Sequence, residues 1–84
     1  MFELIFDKKA GQELKKLPKE MRERIFKKLI QTKQDPFRYF EYLKEIKGFK
    51  LRIGNYRVIA DINRKEQNIK ILKIGHRKNI YERL

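Results

Sequence analysis

The chain has 84 residues, 40% of them charged, and a formal net charge of +12 at pH 7. That length predicts one small domain, residues 1–84, with a modest core, and the absence of cysteine excludes a disulfide framework or a thiolate metal site. A surface this basic attracts a polyanion: nucleic acid, an anionic membrane or an acidic protein.

The opening MFELIFDKK lacks the apolar stretch of a secretory signal, and no apolar run reaches the ~18–20 residues of a membrane span. The expected setting is the reducing cytoplasm, with no membrane, no metal and no cofactor. In chain order, Phe2, Leu4 and Phe6 alternate with Glu3 and Ile5, which predicts a short first strand. Asp7 then suits a helix N-cap. Ala10, Leu14 and Leu17 share one helical face. Pro18 separates this helix from a second, expected over about Lys19 to Lys33, where Met21, Ile25 and Leu29 repeat every four residues with Phe26 and Ile30 beside them. The two read as an antiparallel helical hairpin.

The aromatic stretch FRYFEYLKEIK, 37–47, is compatible with a helical turn, an irregular loop or an edge strand, and reads as a loop leading into a strand. Three strand-like runs follow: Phe49 to Ile53, Tyr56 to Ile62 and Asn68 to Ile74, then a short basic tail after Gly75. Strands and helices arranged in blocks predict an α+β fold: an N-terminal strand, a helical hairpin, and a mainly antiparallel three-strand meander whose one face the helices cover.

Gly54-Asn55 is a two-residue turn signal. A tight turn there places Phe49, Leu51 and Ile53 opposite Ala60, Val58 and Tyr56 on one apolar face. The other face sets Arg52 across from Arg57, and Lys50 across from Ile59. Like charges so opposed cost a few tenths to about 1 kcal/mol. An anion held between them offsets that cost, because guanidinium forks match phosphate oxygens. Long basic side chains that merely splay over a sheet are the bland alternative. The tail brings His76, Arg77, Lys78 and Tyr81 next in sequence, and the open face is where it is expected to fold back. The helices are basic too, so a helix-turn-helix DNA module and a double-stranded-RNA module are competing readings. Leu17-Pro18-Lys19 between two long helices argues against the first. The shortness of the tail argues against the second.

At KLRIGNYRVIADI and IGHRKNIY the chain resembles the RelE/ParE superfamily, and within it the RelE-type toxins. The similarity covers nearly all of the sequence, and the LRIG-NYR block with the terminal GHR is specific in combination. The resemblance implies a compact α+β toxin neutralised by an acidic, RelB-like antitoxin that wraps around it. It also implies a ribosome-dependent mRNA endoribonuclease that cleaves message in the A site, with the 2′-hydroxyl attacking the adjacent phosphate.

Residue by residue, Arg57 and Arg77 match the family's arginines and are expected to stabilise the phosphorane. Lys50 matches a family lysine; crowding by Arg52 and Arg57 suits it to act as base or relay. Tyr81 stands where the family often has a tyrosine, for stacking or proton handling. Arg52, His76 and Lys78 are expected to bind RNA phosphate, and His76 is a second proton-transfer candidate because imidazole titrates nearest neutrality. Two departures bear on the base: Gly48 stands where some members are basic, and Arg77 to Tyr81 is a shorter step than in some relatives. Electrostatic clamping can still supply much of the rate. The alternatives are a ParE-like toxin that poisons gyrase and a non-catalytic nucleic-acid-binding module.

Overall fold

The computed structural model describes residues 1–80. In chain order the elements are β1 (Glu3–Phe6), α1 (Lys8–Lys15), α2 (Lys19–Gln31), α3 (Pro36–Tyr39), β2 (Glu41–Leu43), β3 (Gly48–Ile53), β4 (Tyr56–Asn63) and β5 (Asn68–His76). The strands form one sheet in the order β1-β5-β4-β3-β2. β1 runs parallel to β5, and every other neighbour is antiparallel. The α+β class expected from the sequence is observed.

Local chemistry accounts for the helix ends. The Asp7 carboxylate accepts from the Lys9 N–H at α1's start, as a capping residue should. Pro18 sits just outside α2, where its missing N–H costs no helical bond. The buried Thr32 hydroxyl donates to the Leu29 carbonyl at 2.7 Å at the far end of α2, satisfying one of the carbonyls that a helix terminus leaves open.

The aromatic stretch differs from expectation. Its first part is not a loop: Pro36 opens the single-turn α3, Glu41–Leu43 forms an edge strand on β3, and only residues 44–47 turn. The meander therefore has four strands rather than three. Aromatic packing explains the order. Phe37 meets the edges of both Phe2 and Phe49, Tyr42 meets Phe49, and Phe40 is buried. Burying a large aromatic ring contributes on the order of 2–3 kcal/mol, which outweighs the weak local signal.

The core lies between the helices and one sheet face. Ala10, Ile25 and Leu29 of the helices meet Leu51, Val58, Ala60, Ile69, Ile71 and Ile74 of the strands. A β-bulge decides the phase of β5. Lys73 pairs with Ile59 and Ile71 with Ala60, which leaves Leu72 without a partner. The extra residue lets both Ile71 and Ile74 face the helices although three positions separate them. Beyond the bulge, Gly75 falls in register with Arg57, and His76 with Tyr56.

Candidate functional site

The hairpin closes as the Gly54-Asn55 signal requires. Arg52 pairs with Arg57, Leu51 with Val58 and Ile53 with Tyr56. Gly54 takes φ +57°, a left-handed conformation that costs glycine nothing and other residues about 1–2 kcal/mol. Arg52, Arg57 and Gly75 thus form one row across three strands, on the face away from the helices.

Gly75 matters here because of what stands over it. A Cβ at this position would lie 3.2 Å from the Ile80 Cδ1. Ile80 is buried although it lies outside the main core. The tail therefore folds back over the open face, with Ile80 seated on Gly75. Its backbone is pinned at several points. Asn79 and Ile80 both donate to the His76 carbonyl, at 2.9 and 3.0 Å, and Arg77 donates to the Asn55 carbonyl at 2.8 Å.

The β3–β4 turn thereby becomes a meeting point. The Arg57 Nη1 donates to the Gly54 and Tyr56 carbonyls, each at 2.9 Å. The Arg77 backbone N–H is held on the carbonyl of the residue next to Gly54, Asn55. Two arginines distant in sequence are held against consecutive turn residues. Only Nη1 of Arg57 carries hydrogen bonds among the described residues. Its Nε and Nη2 donors meet no acceptor among the described residues, and a guanidinium offers five N–H groups in all.

The remaining expected residues divide. Lys50 faces Glu41 of β2, and its ammonium lies 3.2 Å from that carboxylate. This is the one ion pair among the described residues. The crowding by arginines expected from sequence is therefore offset by an acid on the edge strand. His76 does not join the arginine row. It stands beside Tyr56 on the opposite side of the sheet, its ring edge-on to the tyrosine at 5.6 Å. Its Nδ1 accepts from the Lys78 N–H at 3.2 Å, which leaves Nε2 as the nitrogen that carries the N–H and donates outward. Arg77 and Lys78 are exposed. Tyr81 lies outside the described residues.

Two contributors were not anticipated. Arg24 of α2 reaches the same turn: a Cβ on Gly54 would stand 3.1 Å from its Nη1. The general basicity of the helices was legible, but no spacing singled out Arg24. Glu13 of α1 accepts from the Ile74 N–H at 2.9 Å. It takes the place of a sheet partner where β5 runs on past the end of β1, and so fixes the strand just before Gly75, His76 and Arg77.

A model of the family described as the ParE toxin of type II toxin–antitoxin systems matches residues 4–81. The chain belongs to that family. It is a toxin of the RelE/ParE superfamily, as the sequence resemblance implied. Among solved structures it is similar to the archaeal RelE–RelB complex from Pyrococcus horikoshii, at 26% identity and a TM-score of 0.77, covering 90% of this chain and 94% of that one. It is also similar to the toxin–antitoxin complex RelBE2 from Mycobacterium tuberculosis, at 24% identity and a TM-score of 0.83, covering 89% and 96%. The isolated RelE toxin of E. coli matches at 21% identity and a TM-score of 0.75, covering 90% and 84%. Likeness at the two lower identities concerns the fold. No curated protein matches the chain.

Proposed function

We propose that this toxin is a ribosome-dependent endoribonuclease that cuts message in the A site. The 2′-hydroxyl of one nucleotide attacks the adjacent phosphorus. The new O2′–P bond forms as the P–O5′ bond breaks, leaving a 2′,3′-cyclic phosphate and a free 5′-hydroxyl. One proton must leave O2′ and one must reach O5′. Between these events the phosphorane carries extra negative charge.

The observation that carries this reading is that the Arg57 guanidinium and the Arg77 backbone N–H are held on the consecutive carbonyls of Gly54 and Asn55, which starts both arginine side chains from one turn. Preorganised cations aimed at developing charge give the largest single rate term in such reactions. Arg57 presents Nε and Nη2 to the phosphorane, Arg77 closes from the tail, and Arg52 grips the neighbouring backbone. Lys50 with Glu41 forms a relay able to accept the O2′ proton. His76, on the opposite side of the sheet from the arginine row, serves instead to grip a neighbouring phosphate through its Nε2–H, and Lys78 adds a second grip. Tyr81 stacks on a base or returns the proton to O5′. The ribosome orients the substrate, which supplies the entropy such a sparse site lacks.

The partner is an acidic, RelB-like antitoxin acting in the cytoplasm. Several of the matched structures are complexes of toxin with antitoxin, and a chain of charge +12 calls for acidic complement. An open apolar groove of about 520 Å³ between Leu14 and the exposed Phe26 and Ile30 suits apolar anchors on such a segment.

The test is to induce the gene in a bacterium and map message 5′ ends on ribosomes. Codon-phased cuts that vanish with Arg57→Ala and Arg77→Ala support the reading; intact message in growth-arrested cells removes it. The matching family description favours one second reading, a gyrase poison of the ParE kind. That reading predicts DNA damage with uncut message.

A further inference from the structure

On the helix side of the hairpin a second basic feature adjoins the arginine row. An open recess of about 340 Å³ lies between α2 and the β3–β4 turn. Arg24, Lys27, Lys28 and Gln31 form its helical wall, and Arg52 and Gly54 form its hairpin wall. Among the described residues no carboxylate lines it. None of its four cations has an acidic partner among the described residues. The Arg24 guanidinium packs over Gly54, whose missing side chain is what admits it. Lys28 is steadied over the Tyr39 ring, 5.1 Å from its centroid.

Uncompensated like charges in one concavity are unfavourable unless an anion fills it. We propose that this recess is a binding site for the phosphodiester backbone of single-stranded nucleic acid. The recess and the arginine row meet at Arg52, so one strand can run from one to the other without leaving basic surface. The recess goes beyond the catalytic reading, because it grips a backbone whether or not the strand is cut.

The neighbouring groove argues for nucleic acid over protein here. Across Lys27, which borders both, Leu14, Phe26 and Ile30 line an apolar surface fit for a peptide's apolar anchors. The recess offers instead the Arg24 guanidinium fork, two ammonium groups and an amide along α2, with Arg52 at its hairpin rim, a donor set that phosphate oxygens accept. A strand held there binds mainly through charge, so its affinity falls steeply with salt.

The test uses the full chain and a single-stranded RNA carrying 2′-O-methyl groups, which binds but has no attacking hydroxyl. Fluorescence anisotropy across a salt series compares the protein, the variant Arg24→Gln/Lys27→Gln/Lys28→Gln, and a charge-matched control, Lys15→Gln/Lys16→Gln/Lys65→Gln. All six positions are exposed or half-buried, and circular dichroism verifies the fold. The recess variant is expected to bind about tenfold more weakly than the control, with a salt slope shallower by about 0.7 for each phosphate it no longer neutralises. Equal weakening in both variants overturns the site and leaves only net charge. A larger loss for a polyglutamate probe than for RNA also overturns it, in favour of an acidic peptide. Because the probe is never cleaved, failure here is distinct from failure of the endonuclease reading.

Discussion

The backbone N–H of Arg77 donates to the carbonyl of Asn55 at 2.8 Å. That bond ties the tail to the hairpin turn and brings the second arginine to the first. Neither residue's own neighbourhood would do so. The strength of the site therefore rests on the turn's geometry as much as on the arginines.

Arg57→Ala and Arg77→Ala are expected to lower message cleavage by on the order of 10²–10³-fold each, the usual loss on removing one preorganised donor. Arg57→Lys should lose nearly as much, since an ammonium cannot hold the Gly54 carbonyl and still present a fork. Ribosome-associated cleavage assays read both. Near-normal cutting by Arg57→Lys, with unchanged far-UV circular dichroism, would show that only charge matters there.

Gly75→Val is expected to unseat Ile80, which already stands 3.2 Å from where a Cβ would be. Overpacking of this kind costs about 1–3 kcal/mol. The tail carrying Arg77 is displaced with it, so toxicity should drop more than thermal stability does. A variant as toxic as the parent would show that the seat of Ile80 is dispensable.

Glu13→Ala leaves the Ile74 N–H without its acceptor, a loss of about 1–3 kcal/mol. Glu13→Gln keeps an acceptor oxygen and should lose much less. Urea unfolding of the three proteins separates them. Equal midpoints for the alanine and glutamine variants would mean that the tether contributes nothing.

Gly54→Val forces a β-branched residue into φ +57° and drives its Cβ towards Arg24. A destabilisation of about 1–2 kcal/mol is expected from the backbone alone. Gly54→Asn should be milder, because asparagine tolerates that region. Calorimetric melting of both variants checks the order.

Much of the fold was legible locally. The Gly54-Asn55 signal and strict alternation on either side set the hairpin register, because a side-chain period of two leaves one apolar face to bury. Asp7 and Pro18 marked their helix ends for equally local reasons. The aromatic stretch was not legible. Its rings alternate with no clean period, and its ordering as α3 and β2 depends on Phe2 and Phe49, far away in sequence.

The site divides the same way. Residue types and spacing picked out Arg52, Arg57, His76 and Arg77, since cation-rich strands flanking a tight turn are visible in one dimension; the family resemblance added Lys50 and its role. Tertiary structure decided which of them meet. The unpaired Leu72 shifts β5 by one step, so Gly75 joins the arginines while His76 turns to Tyr56. Glu41 reaches Lys50 only because the stretch settles as an edge strand, one of the options its sequence left open, and pairs there. A bulge leaves no compositional mark, and a cross-strand partner is chosen by the whole sheet. Such choices depend on long-range pairing that no local window of the chain contains.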